Sequence, residues 1–109
     1  IIRKKCHCYL VMVTMETVAD TLPHIEEIEL ALSQMEQAIR STIRRVDICT
    51  RYSAMQYLII LFEHIELQIP RIMERIFIQY YKYSDSHDFQ PGYEYLAMSE
   101  EEKISEIKN

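Results

Sequence analysis

The stretch from His24 to Tyr52 contains neither glycine nor proline. Ile25, Ile28, Leu32, Met35, Ile39, Thr42, Val46 and Cys49 return along it at alternating spacings of three and four. That is the period of one face of an α-helix. Ala31, Ala38 and Ile43 widen the stripe beyond a narrow seam. The spacing therefore predicts a long helix buried against more than one neighbour, and hence a bundle. Pro23 fits the first turn, with Asp20 or Thr21 as its cap. Glutamates lead (Glu26, Glu27, Glu29) and arginines follow (Arg40, Arg44, Arg45, Arg51), the charge order the helix dipole favours. Glu36 and Arg40, and Asp47 and Arg51, stand at i,i+4.

A second series, Met55, Leu58, Phe62, Ile65, Ile69, Ile72 and Ile76, is out of phase with the first by two residues, about 200° of helix rotation. The shift predicts a chain reversal near residues 50–54. The capping box Ser53-Ala-Met-Gln56, with Tyr52 and Tyr57 as a staple, agrees with it. The phase survives Pro70, so the second long helix is expected over 54–83, kinked at Pro70 rather than broken. Upstream, Val11, Met12, Met15, Val18, Ala19 and Leu22 follow a helical face and predict a first helix over 6–20. A strand over Cys6–Thr14 competes with it, but a strand needs neighbours that the rest of the chain does not advertise. Residues 84–98 read as loop around Pro91 and Gly92, and Ser99-Glu-Glu-Glu102 opens a short acidic helix with Ile104 and Ile107 on one face.

Composition narrows the chemistry. A single glycine leaves no phosphate-cradling loop of the P-loop or dinucleotide kind. Three cysteines cannot all pair within the chain, which favours a reducing compartment, cytoplasmic or nuclear. No apolar run reaches the ~20 residues a bilayer span requires. The chain opens on isoleucine, as expected of a piece trimmed from a longer product. Net charge is −5, and the segment 84–109 carries all of that excess. An acidic chain is a poor non-specific nucleic-acid binder unless it concentrates its basic residues locally.

Cys6-His7-Cys8 offers zinc-ligand types without the usual pair spacing or a full set of four. Glu63, His64 and Glu66 are close in sequence, yet no Glu-x-x-His supports a bundle-core metal site, and a solvated or hydrogen-bonded histidine is the expectation. No nucleophile has a readable base. Neither a metal nor a cofactor nor an enzymatic activity is expected. Arg40, Arg44 and Arg51, with Arg45 beside them, share the outer face of the main helix and form a candidate polyanion surface. Phe77, Tyr80, Tyr81 and Tyr83 cluster at the end of the second helix and form a candidate partner surface.

The sequence thus predicts an all-α bundle of three or four helices, dominated by two long antiparallel ones. Residues 1–83 make the bundle and 84–109 a loop with an acidic helical tail. The expected function is a non-enzymatic interaction or oligomerisation domain of a larger protein, coiled-coil-like, paired as a homodimer or with another helical protein. The alternative is a regulatory helical domain that binds nucleic acid or another polyanion through its arginine face.

Overall fold

A computed structural model describes residues 8–18, 20, 22–84 and 88–98. Its elements are β1 (Cys8–Thr17), α1 (Ile25–Thr42), β2 (Ile48–Ser53), β3 (Gln56–Phe62), α2 (Gln68–Tyr83) and β4 (Phe89–Met98). The strands form one antiparallel sheet in the order β2-β3-β1-β4. This β-α-β-β-α-β succession is the ferredoxin-like arrangement. The fold is α+β, which corrects the all-α bundle, and with it the coiled coil expected from sequence.

Where a first helix is predicted over 6–20, Cys8–Thr17 form a central strand. Burial alternates along β1, with Tyr9, Val11, Val13 and Met15 buried and the residues between them half-buried. Both flanks are paired: Leu10 lies opposite Ile60 of β3 and Leu96 of β4. The neighbours that seemed missing are β3, read as helix, and β4, read as loop. Pro91 and Gly92 do not prevent β4 from forming because it is an edge strand, where a missing ladder donor faces outward.

The long helix stops at Thr42 rather than Tyr52. Its end is satisfied locally: Ile43 N–H donates to the Ile39 carbonyl, and the Ser41 and Thr42 hydroxyls both donate to the Ala38 carbonyl. The chain does reverse after residue 53, but between strands. Ser53 and Gln56 of the supposed capping box join side chain to side chain across the β2–β3 turn at 2.8 Å. Pro70 kinks nothing. It is the third residue of α2, among the first N–H groups that have no intrahelical acceptor.

Both helices pack on one face of the sheet. Ala31, Leu32, Met35, Ala38 and Ile39 of α1 and Ile69, Met73, Ile76 and Tyr80 of α2 meet Val11, Val13, Tyr57, Ile59 and Leu61 in a single core. Tyr57 anchors α1: its hydroxyl stands 3.0 Å from both the Leu32 carbonyl and Glu36 Oε1. The opposite face of the sheet has no helix on it among the described residues, and one row across it, Ile48, Ile60, Leu10 and Leu96, is entirely apolar. The acidic helix expected over residues 99–109 lies outside the described residues.

Candidate anion-binding site

At one end of the molecule three segments meet: the loop from α1 to β2, the end of β3, and the first turns of α2. The loop is built by its own side chains. Asp47, with its side chain only 1% exposed, accepts the Arg44 backbone N–H at 2.9 Å through Oδ2 and the Phe62 backbone N–H at 3.0 Å through Oδ1. It also pairs with the Arg44 guanidinium, at 3.4 Å from Nε and 3.5 Å from Nη2. Arg44 Nη2 donates in addition to the Phe62 carbonyl. The carboxylate therefore closes the Arg44–Asp47 turn, clips it to the end of β3 and fixes the plane of the guanidinium. Each of its oxygens already faces two N–H donors, so it can position a neighbour but has little capacity left to act as a base.

Past Phe62 the chain turns through Glu63, the one non-glycine residue with a positive φ (55°) among those described. That turn places His64 over Asp47. The ring is 11% exposed and its Nε2 lies 3.9 Å from Asp47 Oδ2. Nδ1 stands 3.1 Å from Gln68 Oε1, which also accepts the Ile65 N–H at 3.0 Å. Because Ile65 identifies the amide oxygen, Nδ1 must be the donor to it. Nε2 is buried and has no hydrogen-bond partner among the described residues.

A cavity of about 280 Å³ opens beside this loop, lined chiefly by Arg44, Asp47, His64, Gln68, Arg71 and Arg75. Gln68, Arg71, Ile72 and Arg75 follow at i, i+3, i+4 and i+7, so one stripe of α2 faces the cavity while Ile69, Met73, Ile76 and Tyr80 face the core. Arg71 and Arg75 have no hydrogen-bond or ion-pair partner among the described residues. Among the described residues, three arginines and one carboxylate thus line the cavity. The first turn of α2 contains no acidic residue, so its N-terminal dipole adds to the positive field. A second concavity of about 350 Å³, lined by Arg40, Ile43, Arg44, Arg45 and Asp47, shares Ile43, Arg44 and Asp47 with the first.

The arginines expected on one helical face are therefore dispersed. Arg40 is on α1, bound to Glu36 at 2.9 Å and to the Cys49 carbonyl at 3.2 Å. Arg44 and Arg45 are in the loop, where they line the concavities. Arg51 is on β2 at the other end of the sheet, donating to the Ser53 and Ala54 carbonyls and pairing with Glu29 at 3.5 Å. Asp47 pairs with Arg44, not Arg51. No continuous arginine face results, which corrects the helical polyanion-binding domain. Of the aromatic cluster, Tyr80 is fully buried, Phe77 packs edge-on against Tyr93 with centroids 6.0 Å apart, Tyr83 is half-buried against the core, and Tyr81 is exposed. Sequence reading does not single out Arg71 and Arg75; it expects a solvated or hydrogen-bonded His64, and the ring is hydrogen-bonded to Gln68. An arginine pair one turn apart with no acid on the same stripe was the available signal.

Elsewhere, chemistry is muted. Burial pushes the Cys49 thiol up to about 11, leaving almost no thiolate near neutral pH. Burial also raises Tyr57, to about 12, with the Glu36 hydrogen bond adding to the effect. Among the described residues no group of three or more His, Cys, Asp or Glu is placed to hold a metal ion. Cys6 and His7 lie outside the described residues.

No family model and no curated protein matches the sequence. Solved structures do match in fold. A DGC protein from Thermotoga maritima superposes with a TM-score of 0.67 at 18% identity, over 94% of this chain and 76% of that one. The diguanylate cyclase SiaD from Pseudomonas aeruginosa, crystallised with its activator SiaC, superposes with a TM-score of 0.69 at 14% identity, over 94% of this chain and 42% of that one. This chain therefore shares its fold with these two proteins, and it spans less than half the length of SiaD. That likeness replaces the helical interaction and oligomerisation domain expected from sequence. Among the described residues no helix is long and apolar enough to cross a membrane.

Proposed function

We propose that this chain is a ligand-binding domain that holds a guanine nucleotide, with cyclic diguanylate as the leading ligand, in the arginine cavity without transforming it. The observation that carries the reading is the convergence of Arg44, Arg71 and Arg75 on one cavity, two of them unpaired among the described residues. Two like charges one turn apart on a helix cost about 0.2–0.5 kcal/mol, a cost that an anionic ligand would remove. The guanidinium fork suits both partners a guanylate offers, its phosphate oxygens and the O6/N7 edge of the base. Guanylate is also the chemistry named for SiaD, which shares the fold. The concavities on either side of Arg44 give room for a ligand with two halves.

The non-enzymatic part of the proposal rests on the donor set. Phosphoryl transfer draws on a divalent cation held by carboxylates. Among the described residues Asp47 is the one carboxylate lining the cavity, and its oxygens are turned to backbone and Arg44 donors. These residues do not fit such an ion.

Amide chemical-shift mapping tests the reading. Cyclic diguanylate should perturb Arg44–Asp47, His64 and Gln68–Arg75 together and leave the ligand intact. Perturbation confined to other surfaces, or conversion of added GTP, would contradict it.

A homodimer keeps one structural support, the apolar row Ile48, Ile60, Leu10 and Leu96 on the sheet face that carries no helix among the described residues. We propose that a second copy covers it. Sedimentation equilibrium should then show a dimer that Leu10→Lys dissociates, and a monomer at every concentration would rule it out.

A further inference from the structure

We infer that His64 couples anion binding at the arginine cavity to the uptake of one proton, so that this site tightens as the pH falls. The inference rests on the anion-binding reading above and concerns its regulation. Nδ1 of the ring is committed as a donor to Gln68 Oε1, whose orientation the Ile65 N–H fixes. In the neutral ring Nε2 is then a bare acceptor. It is buried, no donor among the described residues reaches it, and it faces a carboxylate oxygen 3.9 Å away. A buried acceptor turned towards an anion is an unfavourable arrangement. A proton taken up from solvent at Nε2 reverses it, placing an N–H⁺ against Asp47.

The charged groups lining the cavity oppose one another over that proton. Asp47, from the loop between α1 and β2, favours it. Arg44 from the same loop, and Arg71 and Arg75 from α2, disfavour it; β3 contributes Leu61, which carries no charge. In the empty cavity three guanidiniums repel a fourth cation. A bound dianion offsets that repulsion, so the ligand favours the proton and, by linkage, the proton favours the ligand to the same degree. Histidine is the side chain that ordinarily changes charge between about pH 5 and 8.

Cyclic diguanylate is a suitable probe because its phosphodiesters keep their charge throughout this range, so any pH dependence belongs to the protein. Its Kd should be about tenfold lower at about pH 5.5 than at about pH 8, and His64→Gln should bind with one affinity at both. Equal affinities in the unsubstituted protein, or a dependence that survives in His64→Gln, would overturn the inference. A nuclear magnetic resonance titration of the His64 ring, with and without sulfate, needs no variant and no nucleotide. Sulfate should move the titration midpoint upward, and an unmoved midpoint would overturn the inference. Failure of cyclic diguanylate to bind at either pH would count against the guanine-nucleotide reading, and the sulfate titration would still decide the role of His64.

Discussion

Asp47 is the residue on which the site depends, although it has little left to offer a ligand. Its carboxylate satisfies two backbone N–H groups, those of Arg44 and Phe62, and so ties the loop after α1 to the end of β3. Asp47→Ala leaves those donors unmatched and frees the Arg44 side chain. A loss of about 1–3 kcal/mol in urea unfolding is expected, together with weaker anion binding. Asp47→Asn should keep part of the stability through its carbonyl but lose the hold on the guanidinium. Tyr57 provides the pH prediction. Its ordinary value of 10 rises to about 12 because burial disfavours the phenolate, with the Glu36 hydrogen bond second. A raised value means the stabilisation is complete below about pH 10 and disappears as the pH climbs through about 12. Cys49, raised from 9 to about 11 by burial, loses its contribution a little earlier, between about pH 9 and 11. Glu36 moves the other way, held low first by Arg40 and then by Tyr57, so its contribution fades in acid. Unfolding midpoints should fall between about pH 9 and 12, and the fall should be shallower in Tyr57→Phe.

Among the elements, α1 was legible and the strands were not, for reasons visible in particular residues. Leu32, Met35, Ala38 and Ile39 are buried as the stripe requires. The stripe was carried too far because Val46 and Cys49 happen to continue its spacing, although Val46 is exposed and Cys49 is buried from a strand. In β3, Tyr57 to Phe62 is apolar at every position, so any period can be read through it. Met55, Leu58 and Phe62 seemed to join the α2 stripe by that accident. Central strands with apolar residues on both faces lose the alternation that marks a half-buried one, and β1 has the same difficulty. The β2–β3 turn also lacks the usual glycine or asparagine signal, and none of its residues has a positive φ. For the site, Arg44 and Arg45 were visible as basic residues. Their convergence with Arg71, Arg75 and His64 was not, since it depends on the ends of β3 and α1 meeting. Adjacent positions in β3 separate the two readings experimentally. Ile59 is fully buried and Ile60 faces the bare side. Measured on the monomer, Ile59→Ala should cost about 2–5 kcal/mol and Ile60→Thr less than about 1 kcal/mol, whereas comparable losses would contradict the register.

For the whole molecule, charge and shape are arranged at cross purposes with the overall composition. The chain is acidic, with a net charge of −5, and the excess lies in residues 84–109. Yet the junction of α1, β3 and α2 gathers guanidiniums in one concavity. The ferredoxin-like layer supplies the rigid parts, a sheet with both helices on one side, and leaves the loops at that junction to present the side chains. Titration calorimetry of cyclic diguanylate at low salt, on the unsubstituted protein and on Arg71→Ala/Arg75→Ala, tests this directly. The account predicts saturable binding that weakens by at least about tenfold in the double variant and also declines with added salt. No heat of binding, or an affinity that the two arginines do not affect, would contradict it.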